Sequence, residues 1–152
     1  MKVRERKSDC PIHAGLNVLG DAWTLIVVRD LLRGRNTFTE LSNGGERIAT
    51  NVLADRLARL EQEGIITREP LPGRGNPIRY DLTEKGVDLV PTLISIATWS
   101  LKHGEHTEAA RELARRRKRE MTKAEEEILA RLRGKLRSQN VRARRSDVLN
   151  GR

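Results

Sequence analysis

The chain has 152 residues and a formal net charge of +9, with 37% apolar but only 3% aromatic residues. That length suits one domain with an appendage, and the core must be almost wholly aliphatic. No apolar run is long enough to span a bilayer, and the polar residues 1–7 precede no signal-type apolar block, so a cytoplasmic protein is expected.

Residues 1–10 are polar and expected to fray. Pro11 suits the first turn of a short helix through Ala14, Leu16, Val18 and Leu19. Gly20-Asp21 breaks that helix, and Asp21 is placed to cap a second one over 22–33. Trp23, Leu25, Ile26, Val27, Val28, Leu31 and Leu32 fall nearly all round it, the mark of a central helix. Thr37-Phe38-Thr39-Glu40 is a capping box for a short helix through Leu41, closing at Asn43-Gly44-Gly45.

The segment 49–86 is the most informative. Leu53, Leu57 and Leu60 share one face of a helix over 49–63, and Glu63-Gly64 stops it. A strand over 65–69, turn chemistry from Leu71 to Pro77 and a returning strand over 78–82 form a hairpin. Thr83-Glu84 then opens a further helix through Leu89, Leu93, Ile96 and Trp99. Pro91 should kink or divide this helix, and its second apolar face calls for a partner, most simply a second copy. In the tail, Thr122-Lys123-Ala124-Glu125 reads as another capping box, after an earlier helical segment around Ala110 to Ala114. From Ser138 onward the composition predicts disorder.

A short helix, a turn, a longer helix and a basic hairpin make a winged helix-turn-helix, a fold that binds DNA. With the leucines inward, Thr50, Asn51, Ala54, Asp55 and Ala58 face solvent. Asn51 can read adenine through its paired donor and acceptor, and the Thr50 methyl can meet a thymine methyl. Asp55 either accepts from cytosine or pairs with Arg59 one turn on. Arg74 at the hairpin tip and Arg79 on the return strand are placed for phosphate or minor groove, with Arg47 and Arg35 as weaker candidates. For each residue the competing reading is an ordinary solvated surface.

The charge is unevenly spread. Residues 1–104 hold 15 Lys/Arg against 13 Asp/Glu, whereas residues 105–152 hold 15 against 8. The reader is nearly neutral and the tail is basic. Its run Arg115-Arg116-Arg117-Lys118-Arg119 is either a solvated helix face or a source of nonspecific DNA affinity.

Cys10-Pro11, Leu19-Gly20-Asp21-Ala22-Trp23-Thr24-Leu25, Phe38-Thr39-Glu40-Leu41, Leu53-Ala54-Asp55-Arg56-Leu57-Ala58-Arg59-Leu60-Glu61, Gly64-Ile65-Ile66 and Tyr80-Asp81-Leu82-Thr83-Glu84-Lys85-Gly86 occur in order. Together they resemble the HxlR-type family of winged-helix transcriptional regulators, over residues 10–104. The resemblance implies a homodimer, joined through N- and C-terminal helices, that binds a roughly palindromic operator on double-stranded DNA. It also implies an oxidant or electrophile sensor at Cys10. Three positions depart from the family pattern. Asp21-Ala22 stands where Gly-Lys is usual, Thr37 where an arginine precedes the phenylalanine, and Arg79 where an acidic residue precedes the tyrosine.

Cys10 is the only cysteine, so it can form a disulfide only with another chain or a small thiol. Lys7, His13 and a helix N-terminus favour the reactive thiolate, Asp9 opposes it, and the alternative is a small side chain packed in a dimer interface. Cys10-x-x-His13 and His103-x-x-His106 have metal-ligand types at one-turn spacing, but nothing else by spacing completes a site. No catalytic constellation stands out, and neither an enzyme nor a cofactor is expected.

The sequence therefore predicts a mainly α protein with a small β-hairpin wing, a winged-helix and dimerisation domain over 1–104 and a basic, partly helical, partly disordered extension over 105–152. The expected function is a DNA-binding repressor. Its rivals are a protein-interaction module with a basic tail and a metal-responsive repressor.

Overall fold

The computed structural model describes residues 9–73 and 75–149. The chain divides between Asp81 and Leu82 into two compact units. The expectation of fraying over residues 1–10 falls mostly outside the described residues.

The first unit opens with helix α1 (Pro11–Leu19), with Pro11 in the first turn and Cys10 in the N-cap position. Asp21 then caps the next turn, its Oδ1 accepting the backbone N–H groups of Trp23 and Thr24 at 2.9 and 3.0 Å. Those bonds hold residues 21–23 in a turn. Helix α2 (Thr24–Leu32) accordingly begins two residues later than its sequence suggests. It buries Val27, Val28, Leu31 and Leu32, as a central helix should, and also Thr24 and Asp30. Burial alone would raise the Asp21 carboxyl, but hydrogen bonds from Thr24 and Trp23 and the Arg56 charge bring it below its ordinary value.

Helix α3 (Phe38–Ser42) has the capping box intact. Thr37 Oγ1 accepts the Glu40 N–H at 3.3 Å, and Glu40 Oε2 accepts the Thr37 N–H at 2.9 Å. The Thr37 hydroxyl, donating to Glu40 Oε2 at 2.9 Å, and then the backbone N–H groups of Thr37 and Asn36 on the same oxygen hold the Glu40 carboxyl below its ordinary value. Replacing Thr37 with alanine should lower the unfolding free energy by about 1 kcal/mol in urea denaturation. A carboxylate with a depressed folded pKa contributes above its unfolded value of 4.5 and loses that contribution as pH falls through the folded value. The gap between Thr37→Ala and the native protein should therefore narrow below pH 4.5.

Helix α4 (Thr50–Gln62) buries Leu53, Leu57 and Leu60 and packs against α2 and α3. Gly64, at φ +67, and the Ile65 N–H bonded to the Leu60 carbonyl at 2.9 Å close it in the way the Glu63-Gly64 pair predicts. Strands β1 (Ile66–Pro70) and β2 (Ile78–Leu82) pair as a hairpin. Its tip turns through Gly75 and Asn76 at φ +89 and +46, and the Leu71 N–H meets the Pro77 carbonyl at 2.8 Å. Backbone pairing that no sequence pattern announces extends this hairpin. Thr37 and Arg79 form an antiparallel bridge, and Tyr80 N–H donates to the Asn36 carbonyl at 2.7 Å. The chain entering α3 thus lies against the return strand.

Among the described residues the second unit holds three helices. Thr83 accepts the Gly86 N–H at 3.1 Å and caps α5 (Glu84–Val87). Helix α6 (Val90–His103) carries Pro91 in its first turn, where its missing N–H has no partner to lose. Pro91 thereby divides the helix expected after Thr83. Helix α7 (Glu108–Leu149) packs with α5 and α6.

Three expectations for the tail are corrected. Thr122 does not cap a helix: it lies inside α7, and its hydroxyl donates to the Lys118 carbonyl four residues back at 3.1 Å. The earlier segment and the basic run belong to the same helix rather than flanking a break. The helix also continues past Ser138, where disorder was expected, to Leu149. A hydroxyl that finds its own i−4 carbonyl has no need to terminate a helix. No proline or glycine other than Gly134 interrupts residues 108–149.

Candidate nucleic-acid interface

The face of α4 opposite its buried leucines carries Thr50, Asn51, Ala54, Asp55 and Ala58, all exposed. This follows from helix geometry once Leu53, Leu57 and Leu60 point inward. Two alanines among five positions keep the surface low, so a groove floor can come close to the backbone. Thr50 and Asn51 sit in the first turn, where backbone N–H groups are unpaired within the helix.

Asp55 does not pair with Arg59 as the one-turn spacing suggests. Arg56 Nη2 lies 3.0 Å from Asp55 Oδ2, and Arg56 Nη1 donates to Asp21 Oδ2 at 2.9 Å. Arg59 instead donates to the carbonyl of Asn17. Both arginines thus reach towards α1 and the 21–23 turn, while Asp55 stays exposed. Asp21, one departure from the family pattern, is therefore both a cap and an anchor for α4.

Arg47 is exposed just before α4 at φ +51, a left-handed conformation uncommon for a side-chain-bearing residue. Arg79 is not an unengaged cation. Its Nε lies 2.8 Å from Asp81 Oδ2 and its Nη2 donates to Asp81 Oδ1 at 3.1 Å, which raises its pKa. Arg35 is likewise committed, donating to Asp30 Oδ2 at 3.0 Å. Arg74 lies outside the described residues.

Asp30 is a buried, ion-paired acid that the sequence alone does not single out. It is 3% exposed, yet it is surrounded by Arg29, Arg33 and Arg35, with Nη1 of Arg33 at 3.5 Å. An acid flanked by three arginines within six residues is the available signal, but a helix rich in apolar residues hides it.

Cys10 is exposed. His13 Nδ1 lies 3.4 Å from the Asn17 amide nitrogen, His106 Nε2 is 3.2 Å from the Ser100 carbonyl, and the His103 ring stacks obliquely on Trp99 with centroids 5.5 Å apart. Among the described residues no three His, Cys, Asp or Glu side chains come together to hold a metal ion. No single described helix is long and apolar enough to cross a membrane.

The sequence profile of the HxlR-like helix-turn-helix family matches residues 18–108. The chain belongs to that family. An HTH-type transcriptional regulator of Methanothermobacter thermautotrophicus is 31% identical over 105 residues, covering 69% of this chain and 80% of the relative. The regulator YodB of Bacillus subtilis is 32% identical over 92 residues, covering 60% and 82%. Among solved structures, the transcription factor PA1607 superposes with a TM-score of 0.61 at 31% identity over 68% of this chain and 72% of that one. Reduced YodB superposes with a TM-score of 0.55 at 30% identity over 64% and 97%. The protein is thus an HxlR-family winged-helix transcriptional regulator, with the DNA-binding fold of that family.

Proposed function

We propose that this HxlR-family protein acts as a cytoplasmic homodimeric repressor that reads a palindromic operator through α4 and its hairpin. The observation that carries the reading is the exposed, low face of α4 at Thr50, Asn51, Ala54, Asp55 and Ala58, set directly before a hairpin. Thr50, Asn51 and Asp55 read bases, while Arg47, Arg74 and Arg79 hold phosphate or minor groove. The Asp81 pair orients the Arg79 guanidinium rather than leaving it to sweep.

Self-association is supported by apolar side chains left in water on two helices. Ile12 and Leu16 of α1 are 73% and 59% exposed, and Ile96 and Trp99 of α6 are 49% and 67% exposed. Ile12 and Leu16 lie four residues apart on α1, and Ile96 and Trp99 three apart on α6, so each pair shares a helix face, and contiguous exposed apolar surface marks a contact site. We assign the basic helix α7 to sequence-independent contact with DNA outside the operator. Cys10, exposed at the start of α1, is the thiol through which an oxidant or electrophile acts. The solved relatives include HypR, described as a redox regulator, in reduced and oxidised forms, and YodB treated with diamide.

The test is selection of bound duplexes from random DNA, with and without diamide. A palindrome with half-sites about one helical turn apart is expected, and oxidant should release it from the native protein but not from Cys10→Ser. Asn51→Ala should then relax preference at one operator position by about 1–3 kcal/mol. An unchanged preference in that variant removes Asn51 from the reading set.

A further inference from the structure

The turn between α3 and α4 is tied to the end of α2 by charge. Arg29 donates to both carboxylate oxygens of Glu46, at 2.7 and 2.5 Å, while its Nε donates to Asp30 Oδ1 at 2.9 Å. Asp30 is held from its other side by Arg35. Arg29 therefore bridges a buried carboxylate on α2 and a half-exposed one in the turn. The turn also approaches Asp30 closely. A Cβ on Gly44 would lie 2.8 Å from Asp30 Oδ2 and 3.0 Å from the Leu41 carbonyl, so a side chain there would have to displace the Asp30 carboxylate or the turn.

Two residues after Glu46 the chain buries Ile48, and Ala49 then leads into α4. Between Glu46 and Ile48 stands Arg47, at φ +51. Such a conformation persists in a residue with a side chain only where its surroundings fix it. Ile48 fixes the chain on one side, and the forked Arg29–Glu46 pair fixes it on the other. A forked pair of this kind sets orientation as well as distance.

We propose that Asp30, Arg29 and Glu46 form a latch that sets the position of Arg47 and the first turn of α4, making Arg29 and Glu46 positioning residues for sequence readout. The inference rests on the operator-reading function proposed above. It assigns specificity to residues that contact no base and lie off the exposed face of α4. It also accounts for a carboxylate beside a surface that approaches a polyanion. Glu46 is spent on Arg29, and its charge is balanced there.

Glu46→Gln decides the matter, because two readings give opposite signs. If Glu46 were a loose surface carboxylate, removing its charge would reduce repulsion and raise affinity for any duplex. If it is the outer half of a latch, affinity for the preferred sequence falls. The probes are the duplex most enriched from random DNA by the native protein and a scrambled duplex of the same composition. Glu46→Gln is expected to lower the ratio of the two affinities by about 10-fold, the loss typical of one charged hydrogen-bonded pair. Arg29→Lys, which keeps the charge but loses the fork, should lower the same ratio.

Equal or increased affinity for both duplexes in Glu46→Gln overturns the proposal. So does a fall in melting temperature with the ratio unchanged, since that would mark a bond that stabilises without positioning. If the native protein enriches no duplex at all, the operator reading itself fails, a result distinct from failure of the latch.

Discussion

Replacing Leu53 with alanine is expected to destabilise the protein by about 2–5 kcal/mol. Leu53 is fully buried, on the face of α4 that meets α2 and α3. Truncation removes the transfer free energy of the lost carbons and leaves a cavity that two helices can close only in part. Small domains are stable by about 5–15 kcal/mol, so this single change removes a large share. The urea midpoint should fall sharply while the slope of the transition stays the same. Asn51→Ala, two residues away but exposed, should change stability by less than about 0.5 kcal/mol. That contrast separates the two faces of α4. A Leu53→Ala midpoint close to that of Asn51→Ala would mean that this face is not the core.

The periodic parts of the first unit are legible in the sequence because their signals are local. The leucine spacing at 53, 57 and 60, the Thr37–Glu40 capping box and the Glu63-Gly64 stop each fix a few dihedrals from side chains close in sequence. The illegible parts depend on residues distant in sequence. Asn36 and Thr37 have no alternating pattern, so their pairing with Tyr80 and Arg79 is set by where α3 and the hairpin meet. Two of the three departures from the family pattern, Thr37 and Arg79, are thus backbone partners, and the third, Asp21, anchors α4 through Arg56.

The charged side chains of the site are the least legible. One-turn spacing offers Arg59 to Asp55, yet Arg56 takes that carboxylate because Arg59 reaches the Asn17 carbonyl instead. Arg35 and Arg79 look like unengaged cations in the sequence, but each has an acid beside it in the fold. In the tail, Thr122 misleads because the same four-residue pattern serves a helix start and a helix interior alike. The sequence cannot tell these apart when no glycine or proline marks the preceding break.

Neutralising Arg117, Lys118 and Arg119 together with glutamine should weaken DNA binding by up to about 500-fold at 0.1 M salt. All three are exposed on α7. The figure follows from counterion release. Each phosphate contact adds about 0.9 to the slope of log affinity against log salt, so three contacts add about 2.7 decades between 1 M and 0.1 M. Arg115 and Arg116 are left in place because Glu108 and Glu112 already lie within 3.3–3.5 Å of them. Glutamine keeps the helix propensity close to that of arginine and lysine, so α7 should persist. Cutting the chain after Gly104 would be a poorer test, because α7 packs with α5 and α6 and its removal would uncover them. The loss should be equal for the enriched and the scrambled duplex, since phosphates carry no sequence. The slope itself, measured by titrating salt against each duplex, is the sharper readout. A slope unchanged from the native protein would release α7 from DNA altogether. The basic run would then fit an acidic protein partner, while α4 and the hairpin kept the operator.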